Sequence, residues 1–454
     1  MRRDKPQGDF SGFSLGFLGA LSALKRACER AVNKIMAKHK KLEDYREQIE
    51  QCVKCGACQA HCPVFGEHKR ESIVARGKVA LAHALLNDEV ELDERMVEDM
   101  SKCLLCASCF DKCPNLVPTD EIVAAARREI TEKQGLSNFG KALTTVIKSP
   151  RLMNVLAKSG KTFSGLLFKK VPDQSGLRLR FPVPFVSRDR SIPAIAAKPF
   201  RERHPEVIPG EPGKPTVAFF TGCMINYMYP EIGDALLKIL KFMGVTVLIP
   251  GDQGCCGLPA ISAGAGDIVE ELSERNLAAL TRRTPDVIIT ACATCNEGIG
   301  RHFKHLEGDY AAMAEKVMDM NVFLVRHGLD KLLAELPRKE VFQRVTYHDP
   351  CHLRTQGITK EPRALLKALP GVRFVDMEGA DRCCGLGGTF SVYHYDTSKL
   401  IGARKVPGIE QSGSDLVATA CPGCMMQLQD TINHAGLKPR VIHLLELIAR
   451  DLPA

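Results

Sequence analysis

The chain has 454 residues, 45% apolar and 25% charged, an ordinary globular balance with room for two or three domains. Its formal net charge of +9 is local, because residues 141–215 carry 15 Lys and Arg against 5 Asp and Glu; the rest is near neutral, which argues against a nucleic-acid-binding fold. Nineteen cysteines in so long a chain exclude a small disulfide scaffold, and the lack of any run of about 18 apolar residues excludes a spanning helix.

Residues 10–36 place Phe10, Phe13, Phe17, Leu21, Leu24, Cys28, Val32 and Ile35 at helical spacing, with Lys25, Arg26, Arg30 and Lys34 opposite. The pattern predicts a helix packed on the protein or on a partner subunit; a helix lying in a membrane interface is the alternative. Met1-Arg2-Arg3 ahead of an apolar stretch imitates a signal peptide, but Gly12, Gly16 and Gly19 dilute it and no cleavage site follows.

Next come Cys52, Cys55, Cys58 and Cys62-Pro63, then Cys103, Cys106, Cys109 and Cys113-Pro114. Both sets read C-x2-C-x2-C-x3-C-P, the pattern of the two-cluster bacterial ferredoxins, in which the fourth cysteine serves the other cluster. Cys52, Cys55, Cys58 and Cys113 are therefore assigned to one cubane [4Fe-4S] cluster, and Cys103, Cys106, Cys109 and Cys62 to a second. A zinc ribbon would need only C-x2-C pairs. Residues 73–86 and 91–100 read as helices between the motifs. Residues 119–133 read as another, with Thr119 and Asp120 as caps. Helical faces follow around Leu143, Val146, Ile147, Leu152, Val155 and Leu156. The proline-rich stretch 172–215 reads as an extended linker. This basic middle segment is expected to face solvent or a subunit, with docking on anionic lipid as the alternative.

From residue 216 the rhythm becomes α/β. Strands at 216–220, 245–250 and 286–290 end near Cys223, Cys255-Cys256 and Cys292-x2-Cys295, and helices run on to about 336. Strands at 345–348, 372–377 and 415–419 then end near Cys351, Cys383-Cys384 and Cys421-x2-Cys424, with a helix at 397–409. The cysteines recur 128 or 129 residues apart, the mark of an internal duplication. Strand carboxyl ends are where α/β sheets place ligands. Adjacent cysteines form a strained disulfide ring, yet can point two thiolates at one metal centre, and the glycine after each pair lets the backbone turn tightly. Each copy supplies five thiols, whereas one zinc or one cubane takes four, so the fifth bridges, resolves or stays idle.

The spacing C-x31-C-C-G followed by C-x2-C resembles the cysteine-rich CCG domains of heterodisulfide reductase. That resemblance implies non-cubane [4Fe-4S] clusters in one or both copies, with zinc in one of them as the alternative. The order of parts over residues 50–454 resembles the iron-sulfur subunit family of glycolate oxidase and its lactate-oxidising relatives. Ala75-Arg76-Gly77-Lys78, Tyr347-His348-Asp349-Pro350-Cys351-His352-Leu353 and the stretch from Cys383 to Val392 carry it.

The fold class expected is α+β/α/β multidomain: an N-terminal extension (1–45), a helical two-cluster ferredoxin-like domain (46–135), a basic helical segment and linker (136–215), and two duplicated α/β cysteine-rich domains (216–338 and 339–454). No flavin or nucleotide fingerprint is present, so no residue is assigned to catalysis. The resemblance implies electron transfer from a partner FAD-dependent 2-hydroxyacid dehydrogenase to a quinone or a membrane redox subunit. Patterned, oxygen-sensitive thiolates point to a reducing, cytoplasmic place, free or peripheral on the inner membrane's cytoplasmic face. A disulfide-reducing subunit and an anchor subunit of anaerobic glycerol-3-phosphate dehydrogenase share the architecture. His348 and His352, beside Asp349, are read as cofactor-facing donors or proton carriers; packed, satisfied histidines are the plainer alternative.

Overall fold

A computed structural model of the protein describes residues 40–162, 168–170, 176–181, 186–306 and 308–453. The helix expected over 10–36, with Cys28, lies outside the described residues.

The ferredoxin-like part is helical around its two cysteine loops. The helix Ala75–Leu86 buries Val79, Ala82 and Leu85 against the helix Thr119–Gln134, which contributes Ile122, Val123 and Ala126. Pro118, not Thr119 or Asp120, holds the N-cap position of the second helix, and no side chain caps it. Asp120 is instead drawn into an ion cluster. Arg301 of the first α/β copy reaches Asp120 at 3.0 Å, Glu121 at 2.7 Å and Glu297 at 2.7 Å. A partly buried guanidinium pairs with three largely buried carboxylates, whose charges would otherwise be costly, and ties the two parts together.

The basic middle segment forms helices Asn138–Lys148 and Pro150–Thr162 and a short antiparallel pair, β1 (Phe168–Lys170) with β2 (Leu177–Leu179). The proline-rich stretch after it is not a free tether. Ser191 N donates to Asp430 at 2.7 Å, Arg190 donates to the Ser391 carbonyl at 2.8 Å, and Phe200 is fully buried. Its last part, β3 (Val207–Ile208), pairs antiparallel with β5 (Thr246–Leu248) at the edge of the first sheet.

In the first copy β4 (Thr216–Phe220) lies centrally, parallel to β5 on one side and to β6 (Val287–Thr290) on the other, with β7 (Val317–Asp319) beyond β6. The second copy repeats this order with β8 (Gln343–Tyr347) between β9 (Val372–Phe374) and β10 (Leu416–Thr419), and β11 (Arg440–His443) outermost. Val217, Ala218, Phe219 and Phe220 are all fully buried, as expected of a parallel strand covered on both faces. Each copy reverses strand order between its first and third strands. That switch point is where the cysteines after β4 and β6, and after β8 and β10, converge. The copies pack through the helices Pro230–Phe242 and Leu444–Asp451, and Lys238 Nζ donates to the Ala449 carbonyl at 2.8 Å. The helix expected over 397–409 is two, Tyr395–Ala403 and Val406–Ser412, because Pro407 has no N–H to donate to the Ala403 carbonyl four residues back. Among the described residues no helix is long and apolar enough to cross a membrane.

Candidate metal centres

The two ferredoxin-type loops share an unusual backbone. Lys54 (φ 54°) and Gly56 (φ 87°) in the first match Leu105 (φ 52°) and Ala107 (φ 51°) in the second. Each left-handed residue that is not glycine costs about 1–2 kcal/mol, and three of these four are not glycine. Alternating handedness turns backbone N–H groups inward to form a concavity suited to a negatively charged group. Cys52, Cys55, Cys58 and Cys113 line one small cavity, which Cys109 also reaches. Cys62 and Cys109 lie near enough to Cys103 and Cys106 for the thiols to feel one another's charge. Burial pushes the Cys62 thiol up to about 12 and also raises Cys103 and Cys109. Thiols buried this deeply ionise when a cation sits among them, as metal ligation requires.

In the second copy Cys351, Cys383, Cys384, Cys421 and Cys424 line one cavity, walled by Leu104 and Cys106 of the ferredoxin part and Leu258 and Thr294 of the first copy. Gly385 has φ 96°, and a Cβ there would lie 2.6 Å from the Ser398 carbonyl oxygen, so only glycine fits. Ser398 Oγ closes the turn by donating to the Gly385 carbonyl at 2.8 Å, and Gly385 N points at Cys383 Sγ at 3.4 Å. Hydrogen bonds from Cys383 and then Cys424 hold the Cys384 thiol well below its usual range. In the first copy Cys223 contacts Cys255, Cys255 contacts Cys256, Cys256 contacts Cys295, and Cys295 contacts Cys292. Asn276 steadies the double cysteine there, accepting from Gly254 N at 2.8 Å and donating to the Cys255 carbonyl at 2.8 Å.

Two contacts join these sets. Cys106 of the ferredoxin part touches Cys383 of the second copy. Cys292 of the first copy touches Cys421 of the second, and Thr294 Oγ1 lies 3.5 Å from Cys421 Sγ. The eighteen patterned cysteines are all free thiols. Thiol-only donor sets, inward backbone amides and buried thiols fit iron-sulfur clusters well.

Of the two histidines singled out in the sequence, His352 is tied to the ferredoxin loop, its Nε2 3.2 Å from the Leu105 carbonyl. His348 is fully buried against Cys384 and Cys424, and burial with Lys405 nearby keeps it neutral. Asp349 is held by Arg363 at 2.6 Å, away from any proton-carrying role of its own. Sequence reasoning missed two buried lysines. Lys78 donates to the Asp99 carbonyl beside the second ferredoxin set. Lys405 donates to the Gly379 and Ala380 carbonyls at 2.6 and 3.0 Å beside the second copy's thiols. Burial lowers each to about 8. Lys78 closes the Ala75-Arg76-Gly77-Lys78 stretch, but a single lysine in a helix carries no pattern that reveals a buried charge.

Residues 48–117 match the family described as 4Fe-4S dicluster domain, and residues 217–299 and 345–429 each match the cysteine-rich domain. The chain is 30% identical over 443 residues to the probable glycolate oxidase iron-sulfur subunit of Bacillus subtilis (strain 168), covering 92% of this chain and 97% of that one. It is 31% identical to one of the subunits of the fumarate reductase (CoM/CoB) of Methanothermobacter marburgensis, over 90% of this chain and 74% of that one. It is 28% identical to one of the subunits of the anaerobic glycerol-3-phosphate dehydrogenase of Escherichia coli (strain K12), over 84% and 94%.

Proposed function

The chain belongs to the family of oxidoreductase iron-sulfur subunits that join a 4Fe-4S dicluster domain to two cysteine-rich domains, and from that premise we propose which reaction it serves. Its role is electron transfer. The proposed donor is a partner FAD-dependent dehydrogenase of 2-hydroxy acids such as lactate or glycolate, and the acceptor a quinone or a membrane redox subunit. Similarity along nearly the whole length of the Bacillus glycolate oxidase subunit supports the choice of substrate class.

The observation that carries the reading is the unbroken row of thiol sets. Iron-sulfur clusters, when bound, supply one-electron carriers. The chain's own part is to place their sites. Cys52, Cys55, Cys58 and Cys113 would hold one cubane, and Cys62, Cys103, Cys106 and Cys109 the other. Cys351, Cys383, Cys384, Cys421 and Cys424 would hold the second-copy centre, and Cys223, Cys255, Cys256, Cys292 and Cys295 the first-copy centre. The contacts Cys106–Cys383 and Cys292–Cys421 put the second copy in the middle of that row and the first copy at its end. Leu104, Leu258 and Leu386 give the middle site largely apolar walls.

The test is reduction of the holoprotein, purified anaerobically with its partner flavoprotein. Lactate or glycolate should bleach the clusters and bring up their EPR signals within turnover time. Reduction by glycerol 3-phosphate alone, or by a thiol pair alone, would replace the proposed substrate class with that of one of the other relatives.

A further inference from the structure

His348 is fully buried, and neither of its ring nitrogens has a partner in good hydrogen-bond geometry among the described residues; the nearby Ala380 carbonyl already accepts from Asp349 N and Lys405 Nζ, each at 3.0 Å. Each buried polar group left unpaired costs about 1–3 kcal/mol. The backbone that carries the ring is fixed on both sides. His348 N donates to the Ala418 carbonyl at 2.9 Å, and its carbonyl accepts from Thr419 Oγ1 at 3.1 Å. A ring nitrogen lies within 4.8 Å of both Cys384 Sγ and Cys424 Sγ.

Neighbouring histidines are already engaged. His352 is tied to the Leu105 carbonyl, and His443 uses both nitrogens, Nε2 on the Ala291 carbonyl at 3.1 Å and Nδ1 accepting from Leu445 N at 3.3 Å. The first copy has no equivalent of His348. Counting back by the repeat offset of 128 residues, the matching position is Phe220, also fully buried and unable to donate. By the same offset, or one more, the buried cation Lys405 is matched by the neutral Leu277 or Asn276.

We propose that His348 is a positioning residue that donates its ring N–H to the sulfur of Cys384 or Cys424. It makes the second-copy centre easier to reduce than the first-copy centre. The physical reason is charge. Reduction adds negative charge that spreads over the sulfurs, and a buried N–H donor favours the more negative state. The two copies thus share ligands and topology but differ in potential, and His348 contributes to that difference alongside the buried cation Lys405. The inference rests on the reading that the second copy holds an iron-sulfur centre.

The holoprotein labelled with 15N-histidine tests it. Pulsed EPR of the second-copy centre should show a weak ring-nitrogen coupling that changes with the label. It should survive in His352→Gln. In redox titration, His348→Phe, which copies the first repeat, should cut the reduced-to-oxidised ratio of that centre about tenfold at fixed potential, about 59 mV for one electron. His348→Gln, which keeps an N–H donor, should restore most of it, and the cubanes should not shift. A second-copy centre with full iron and no label-sensitive coupling would overturn the proposal, as would a coupling large enough for a direct iron–nitrogen bond. Should His348→Phe fail to assemble, the labelled wild-type protein decides alone. An absence of iron from the second copy of the wild-type protein would instead overturn the underlying reading.

Discussion

Arg127 shows how one buried charge can join two modules. Its Nε and Nη atoms donate to the carbonyls of Met100, Ser101 and Cys103 in the ferredoxin part and of Ser262 in the first copy, at 2.8–3.0 Å. Arg127→Met would leave these buried acceptors without a donor. The expected cost is about 3 kcal/mol or more, read as a lower midpoint in anaerobic denaturant unfolding. A change below about 1 kcal/mol would mean water replaces the guanidinium. His394, from the second copy, pairs with Ser101 Oγ at 2.7 Å, and burial lowers its pKa to about 4. The folded chain keeps this ring neutral, whereas the unfolded chain protonates it near its ordinary value of 6.5. Its contribution is therefore complete above pH 6.5 and is lost as pH falls towards 4. The melting temperature of the holoprotein should drop between pH 7 and 5, and His394→Gln should flatten that part of the profile.

At the scale of elements, the stretch that reads as a linker is part of the core. Phe200 packs edge-on to Phe219, with ring centroids 5.6 Å apart, and a Cβ at Gly233 would lie 2.4 Å from its ring. Phe200→Ala should cost about 3–5 kcal/mol, and Gly233→Ala about 1–3 kcal/mol, both measurable by chemical unfolding. A proline-rich composition hides this because one aromatic anchor leaves no periodic signal. The outer strands β7 and β11 leave no signal either. Each is only three or four residues long and runs directly into a helix, so alternation has no length in which to appear. The strands β4, β6 and β10 are readable because each is a dense apolar run with a cysteine two or three residues after its end.

At the scale of the whole molecule, the four thiol sets stand in a row whose order differs from their order in the chain: the second copy lies between the ferredoxin part and the first copy. Anaerobically purified protein should carry about sixteen iron atoms and no zinc. About eight iron and two zinc would reassign both cysteine-rich copies to zinc. Cys384→Ser should remove one EPR species and leave the ferredoxin cubanes intact. It should also remove the spin–spin broadening that a middle centre imposes on its neighbours in fully reduced protein. Unchanged broadening would place the removed centre at an end of the row.

The sequence by itself determined the candidate thiols, their spacing within each loop, the duplication and the strand-end placement, because cysteine spacing is a local property that survives without coordinates. Tertiary structure alone decided which sets touch. Cys106 meets Cys383, and Cys292 meets Cys421, across long stretches of chain that no spacing encodes. It also decided which polar groups are buried without a partner. His348 is one of several residues flanking Cys351 in its motif, and only burial beside two thiols, with Phe220 in its place in the other copy, sets it apart.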